Sequence, residues 1–583
     1  MPTPPTALRA AALALALLAL FLPPAACAGA LAGGDPARLD EVQAGLWVLK
    51  LALALNAALF WGAGRLARRR RSGVPLLRRG LREPGPPRVR EHAAIGLIVA
   101  AALAVRLHEL GAGLWFDEID TLVNHVRLPL GELVTTFQSK NQHFLYSVLA
   151  RVSLVVFGES AWALRLPAAL LGVASLYATW RLGRLLAPPM EALLASALLA
   201  FSYHHVWFSQ NARGYTGMLL FTLAGTAAFL RLLAARDGAE AVRRSLAYGA
   251  WMALATLVHL TSLFTVAAHG LIWIALFASS RRREPGGAAL ARPLALETFL
   301  GFVAIAGFSV LGYALVLPQF AGTALAPLPG APTEWRAPHW FVLETLEGLA
   351  RGVPGGWVSL GLALLVGAAG LWSYLRQGPW VLAILLAPAA VSGAAVFVLE
   401  HNLWPRYFFF SAGFFALLAI RGIGELARAL AGLWGGAGSA ALARSAALLA
   451  CAGAALGMPR AWGPKQDFEG ALRFVRESAA PGDAVVTVLT ASLPFERLHR
   501  AGWSKADSLE ELMETERRHP RTWLVYTMPT LLRAWQPGIW QRIQSEYSLV
   551  RSFPGSVGGG DIVISVHPSR DGGAAAGGPP GDV

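Results

Sequence analysis

Cysteine is almost missing from this chain. Two occur in 583 residues, Cys27 and Cys451, both within or beside apolar runs, so neither a disulfide framework nor a cysteine-ligated metal site can be built from them. Charge is scarce too. Charged residues make up 15% against 55% hydrophobic, with a mean hydropathy of +0.49, which excludes an ordinary soluble protein of several domains and requires most of the chain to face lipid. Repeated halves, the usual signature of a secondary transporter, are not found. The polar C-terminal portion has no metal-ligand spacing, nucleophile elbow or glycine-rich phosphate loop.

What charge there is carries topology. The net charge is +15 with a pI near 10.5, but the basic residues fall in clusters between apolar runs rather than on one soluble face, so nucleic acid is not the partner. Arg65, Arg68 to Arg71, Arg78, Arg79, Arg82, Arg88 and Arg90 form one cluster, and Arg243-Arg244 and Arg281 to Arg283 form others. The positive-inside rule puts all three in the cytoplasm.

Apolar runs are then placed around these clusters. The first, about residues 7–28, has a thin basic region at Arg9 and small residues at Ala28-Gly-Ala30 that a signal peptidase could cut; its apolar stretch is long for a signal peptide, which favours an uncleaved span. Further spans are expected at about 46–64, 93–110, 163–180, 190–208, 215–233, 296–317, 358–375, 381–399, 407–421 and 441–458. Between Arg244 and Arg281 two short helices should meet near His259-Leu-Thr261, and 143–157 reads as an interfacial helix. The total is about thirteen spans, with the N-terminus inside and the C-terminus outside. Residues 318–356 are expected as a long outer loop rich in Pro, Gly and Trp.

The composition changes after Pro459. One helical face (Phe468, Leu472, Val475), strand-like runs at 484–489, 523–526 and 562–566, and helices near 508–517 and 530–535 predict a small α/β domain over 459–568, followed by a disordered Gly/Ala/Pro tail at 569–583. The organisation expected is thus two extra spans and an arginine linker (1–92), a transmembrane catalytic domain (93–458), the α/β domain and the tail.

Four polar groups return to the outer side in this scheme: Asp117 with Glu118, Asn141-Gln-His143, Gln210 to Tyr215, and His401 to Tyr407. Each has a bland reading, as a helix-end charge or a snorkelling anchor. Together they supply a carboxylate base and two or three cations. That is the set needed to displace a phosphate leaving group at a sugar carbon, since arginine binds phosphate through a bidentate fork and a carboxylate takes the proton of an attacking hydroxyl.

Six motifs in order resemble the glycosyltransferase C superfamily of polytopic membrane enzymes, specifically the protein mannosyltransferase and aminoarabinose transferase group, glycosyltransferase family 39-like. They are Asp117-Glu118, His143-x-x-Tyr146, Arg165-x-Pro-Ala-x-x-x-Gly172, Gln210-x-Ala-Arg213-x-Tyr215, His259-x-Thr261 and Arg406-Tyr407, spread over about residues 93–458. Phe144 stands where the family often has proline, and the N-terminal spans lie outside the family core.

The resemblance implies a glycosyltransferase C fold of the plasma (inner) membrane of a bacterium, with a small extracytoplasmic α/β domain. It implies inverting transfer of a sugar from a polyprenyl-phosphate-linked donor to an extracytoplasmic acceptor, which is a lipid, a cell-wall polymer or a protein. Asp117 would be the general base. Glu118 would orient the acceptor or bind an optional divalent ion, and no cofactor is required. His143, Tyr146, Arg165, Gln210, Arg213, Tyr215, His259, Arg406 and Tyr407 would bind substrate, with Arg213 and Arg406 neutralising the lipid phosphate. The alternative is a non-catalytic carrier or flippase of polyprenyl-linked sugars, although carriers place ionisable groups near the midplane.

Overall fold

A computed structural model describes residues 4–568 apart from 70, 71, 78, 140, 283–293, 325–331, 353, 354, 434, 435 and 437. The expected disordered tail, and the cluster members Arg70, Arg71, Arg78 and Arg283, lie outside the described residues. Two compact units result. The first holds residues 1–110, 125–327 and 336–462, and the second holds 111–124, 328–335 and 463–583.

The first unit is helical. Among the described residues nine helices are long and apolar enough to cross a membrane, or ten if one bent pair is counted as a span. Four of the thirteen expected spans account for the difference. The first apolar run breaks at Pro23-Pro24 into Pro4–Phe21 and Pro24–Leu31, bent by 81°, because proline opens a helix at its first position and cannot continue one. Val89–Leu107 and Gly238–Val258 are helices of 19 and 21 residues that carry charge towards their ends. The expected 190–208 span is a helix only over Pro189–Ala200, followed by a second over Tyr203–Ser209.

Other elements follow the pattern of the sequence. Asp35 caps Pro36–Arg68 by accepting the Ala37 amide at 2.9 Å, and Asp237 caps Gly238–Val258 by accepting the Glu240 amide at 2.9 Å. Phe144–Phe157 has 14 residues, a length of about 21 Å at 1.5 Å per residue, too short for a hydrocarbon core of about 30 Å. Gly238–Val258 and Ser262–Arg282 break at His259 to Thr261, as the sequence indicates, but both are full-length helices. The stretch expected as a long loop is largely helical where described, with Leu317–Ala324 and the 15-residue Pro338–Gly352.

Tyr215–Leu233 lies at the centre, 83% of it buried, against Ala161–Leu186. Gly370 and Gly422 bring Gly356–Gln377 and Ala412–Gly432 into backbone contact: a Cβ at Gly422 would stand 1.9 Å from the Val366 carbonyl oxygen, and one at Gly370 2.1 Å from that of Leu418. Small residues at such crossings let membrane helices approach closely.

The arginine-rich linker is stitched to one end of this bundle. The Gly73 amide donates to the Arg236 carbonyl (2.9 Å), Leu77 to Leu233 (3.0 Å) and Arg82 to Leu185 (2.8 Å), while the Gln377 side chain donates to Gly80 (2.7 Å). These bonds hold the linker beside the chain ends after 186, 233 and 377, the ends that the charge pattern expects in the cytoplasm.

The second unit is built on a five-stranded sheet. Its strands are β1 (Ala484–Val488), β2 (Ser504–Ala506), β3 (Thr522–Tyr526), β4 (Ser548–Phe553) and β5 (Ile562–His567), in the order β2-β1-β3-β5-β4. β1 runs parallel to β2 and β3, with Val486 opposite Leu524, and β5 runs antiparallel to β3 and β4, with Ser565 opposite Leu524. Val486, Val488, Leu524, Leu512, Leu532 and Ile543 form its core.

Candidate active site

The first unit gathers six of the expected residues at helix breaks. His143 sits at the N-terminal boundary of Phe144–Phe157, where its Nδ1 accepts the Gly214 amide at 3.1 Å. Gly214 is required there. A Cβ would stand 2.5 Å from Val258 Cγ1 and 2.7 Å from His143 Nδ1, so any larger residue would push the turn off the imidazole. The preceding Arg213 donates through Nη2 to Asn141 Oδ1 and holds its guanidinium 6.0 Å from the centre of the Tyr215 ring.

His259 completes the nest from the turn between the two following helices. Its ring centre lies 4.7 Å from that of His143 and 5.5 Å from that of Tyr215, and Tyr215 stands 5.2 Å from His143. Tyr407, from the 3-10 segment Pro405–Ser411, approaches His259 at 5.6 Å, and Arg406 lies over the Trp404 ring at 4.6 Å.

Electrostatics separates the roles. Burial, and then the Arg213 and Arg406 guanidinium groups, lower the His259 pKa to about 3; burial, followed by Arg213, His259, Arg406 and His125, holds His143 well below its ordinary value. Both imidazoles are therefore neutral near pH 7, and the cations of the nest are the two arginines. Because His143 Nδ1 accepts an amide proton, its own proton sits on Nε2, which makes that atom a hydrogen-bond donor. Two neutral imidazoles, tyrosine rings and two guanidinium groups suit an anion next to an uncharged polar group.

Three expected residues are fastened to main-chain carbonyls. The Tyr146 hydroxyl donates to Leu164 (2.7 Å), Arg165 Nη1 to Leu110 (3.1 Å), and Gln210 Nε2 to Arg106 (3.0 Å) and His108 (2.5 Å). These bonds tie the helix carrying His143, and the turn carrying Arg213, to their neighbours.

A buried polar cluster behind this nest escapes the sequence reading. Arg106 is fully buried. It bonds His205 Nδ1 at 2.6 Å, Ser209 Oγ at 3.2 Å and the Ala200 carbonyl at 3.0 Å, while Ser175 meets His205 Nε2 at 2.9 Å. An arginine inside an apolar run is the signal that would have found it.

Asp117 and Glu118 belong to the second unit, in the first turn of Phe116–Thr121. Glu118 is fully buried and its Oε2 accepts the Trp115 amide at 3.3 Å; Asp117 is 9% exposed. The Phe116 amide donates to Gln466 Oε1 at 2.9 Å, and Gln466 Nε2 donates to Thr527 Oγ1 at 3.1 Å, so the acidic turn is tied, within its own unit, to the segment that follows β3. Among the described residues no group of three or more His, Cys, Asp or Glu side chains is placed to hold a metal ion.

Residues 141–313 match the family model of dolichyl-phosphate-mannose-protein mannosyltransferase. Four of the six motifs, from His143 to Thr261, fall inside that segment. No curated protein matches the chain. Among solved structures the chain is similar to ArnT from Cupriavidus metallidurans bound to undecaprenyl phosphate, at 14% identity and a TM-score of 0.46, over 81% of this chain and 97% of that one. It is similar to the Archaeoglobus fulgidus oligosaccharyltransferase tethered with an acceptor peptide, at 12% identity and a TM-score of 0.48, over 82% of this chain and 74% of that one. The S. cerevisiae Pmt1-Pmt2 complex bound to the sugar donor is similar at 17% identity and a TM-score of 0.33, over 40% of this chain and 34% of that one.

Proposed function

We propose that this chain, similar over residues 141–313 to the protein mannosyltransferases of the glycosyltransferase C superfamily, is an inverting glycosyltransferase that uses a polyprenyl-phosphate-linked sugar. The observation that carries the reading is the gathering of Arg213, held beside Tyr215, and the Arg406-Tyr407 pair, whose Tyr407 ring lies 5.6 Å from His259, around two histidines whose rings are 4.7 Å apart. A lipid phosphate needs two such cations, because partial desolvation of its charge at the membrane surface must be offset by charge-assisted hydrogen bonds.

In the reaction, an acceptor hydroxyl attacks the anomeric carbon from the face opposite the phosphate, the bond from that carbon to the phosphate oxygen breaks, and the configuration inverts. Asp117 takes the hydroxyl proton. The electron pair leaves with polyprenyl phosphate, whose added charge Arg213 and Arg406 neutralise. His143 Nε2–H donates to a sugar or phosphate oxygen, and Tyr215 and Tyr407 wall the ring. Phosphate is already a good leaving group, so positioning and charge neutralisation supply most of the acceleration. No cofactor is required, and a divalent ion at Glu118 is optional. The acceptor side is extracytoplasmic in a bacterial inner membrane, with the C-terminal domain outside, an orientation that the basic clusters of the sequence support.

Membranes carrying the protein should release polyprenyl phosphate from a labelled lipid-linked sugar when acceptor is present. Movement of intact lipid-linked sugar between leaflets without release would replace the transferase by a flippase.

A further inference from the structure

A polar cavity of about 740 Å³ opens at the linker-bearing end of the first unit, apart from the candidate active site. It lies between the C-terminal ends of Ala161–Leu186 and Gly356–Gln377, the start of Pro189–Ala200, the second half of Ala412–Gly432 and the linker at Gly80 to Arg82. Along Ala412–Gly432 it is removed from the candidate active site. Arg421 and Arg428 stand 15 and 22 residues beyond Arg406, about 20 to 30 Å at helical rise.

Four arginines line the cavity, Arg82, Arg376, Arg421 and Arg428, against two carboxylates, Glu191 and Glu425, a formal surplus of two positive charges. The carboxylates are committed. Glu191 accepts from Arg421 at 2.7 Å, and Arg421 is held further by Gln377 Oε1 (3.0 Å), the Leu186 carbonyl (3.2 Å) and the face of Tyr374. Glu425 accepts from Ser373 and pairs with Arg428 at 2.8 Å. This network fixes the floor, and the surplus charge falls to Arg82 and Arg376, both exposed. Trp372 lines the same cavity at 61% exposure, and Leu375, one turn along from it, is 44% exposed.

We propose that this cavity is a binding site for the phosphate headgroup of an anionic phospholipid of the leaflet on the arginine-rich side. Charge surplus selects an anion. The exposed tryptophan and leucine beside it select one with acyl chains, since indole rings settle at the headgroup level and apolar side chains beyond them meet hydrocarbon. A volume of about 740 Å³ accommodates a glycerophosphate headgroup. The Gly370–Gly422 contact places the two helices that carry Arg376 and Arg428 at fixed separation, so the site is preformed. The inference does not rest on the transferase reading, because it uses none of that site's residues.

The test uses the full chain in nanodiscs or detergent, with native mass spectrometry of retained phosphatidylglycerol against phosphatidylcholine. Wild type should retain the anionic lipid selectively. Arg82→Gln combined with Arg376→Gln should weaken that selectivity by about tenfold or more, at roughly one factor of five per cation near a membrane surface. Arg82→Lys with Arg376→Lys should restore most of it. Unchanged selectivity in the double Gln variant overturns the proposal. So does displacement of the lipid by millimolar inorganic phosphate, which would make the cavity a site for a soluble anion.

Discussion

Gln466 joins two parts of the second unit, the acidic turn and the segment after β3: its Oε1 accepts the Phe116 amide at 2.9 Å while its Nε2 donates to Thr527 Oγ1 at 3.1 Å. The amide it holds belongs to the residue before Asp117, so the position of the proposed base depends on a side chain about 350 residues further along the chain.

Gln466 is 2% exposed, and replacing it by Ala leaves the Phe116 amide and the Thr527 hydroxyl without this partner, a loss on the order of 1 to 3 kcal/mol. Gln466→Ala should lower kcat by about tenfold or more with little change in the donor KM, because the base is displaced while the phosphate nest is untouched. A rise in the donor KM with unchanged kcat would mean that the bond serves donor binding and not the placing of the base. Thr527→Ser keeps the acceptor oxygen and should behave as wild type.

Asp117 is tested directly. Asp117→Asn keeps size and removes basicity, so turnover should fall by at least the ~10²-fold typical of a lost general base while donor binding persists. Near-normal turnover in the Asn variant would remove Asp117 from the chemistry. If polyprenyl phosphate is still released at the normal rate, the transferase reading survives without this residue.

The sequence shows the helical membrane fold with its small sheet domain, and it shows which polar residues fall at helix breaks. His143, Arg213, Tyr215, His259, Arg406 and Tyr407 are legible because polar residues at helix breaks have few reasons to be there, and the structure brings those six together. The break after Ala200 is not legible. Neither Phe201 nor Ser202 is a helix breaker; what interrupts the run is tertiary, with Arg106 taking the Ala200 carbonyl. β2 and β4 are missed for another reason. β2 has three residues, and β4 exposes five of its six, so neither carries the apolar alternation that marks a strand. The bend at Pro23-Pro24 was available in the residues themselves, since two adjacent prolines end one helix and open the next.

The neutral histidines give the protein a pH dependence of known sign. In the unfolded chain His259 protonates below its ordinary value of 6.5, whereas in the folded chain burial and the two arginines delay protonation to about 3. Between those limits the unfolded state binds more protons, so stability rises with pH and is lost as pH falls from about 6.5 towards 3. His143 acts in the same direction. Thermal unfolding of the detergent-solubilised protein should therefore shift downward from pH 7 to pH 5, and His259→Gln should flatten that dependence. An equally steep dependence in the variant would mean that His259 is charged in the fold.

The phosphate clamp rests on geometry that lysine cannot reproduce. Arg213 and Arg406 are 193 residues apart, yet both lower the pKa of His143 and His259, so both guanidinium groups act on one small volume. Arg213 is also oriented by Asn141, a bond that fixes the plane of its fork. Arg→Lys at either position keeps the charge and removes the fork, so affinity for a polyprenyl-phosphate sugar should fall by on the order of 1 to 3 kcal/mol, the worth of a charge-assisted hydrogen bond. Were each arginine only an anchor at a helix end, lysine would serve equally well, because its stem snorkels as far. Donor binding to the two Lys variants separates the cases. Unchanged affinity in both leaves no clamp, and a drop at Arg213 alone, accompanied by a similar drop in Asn141→Ala, would confine the role to the oriented member of the pair.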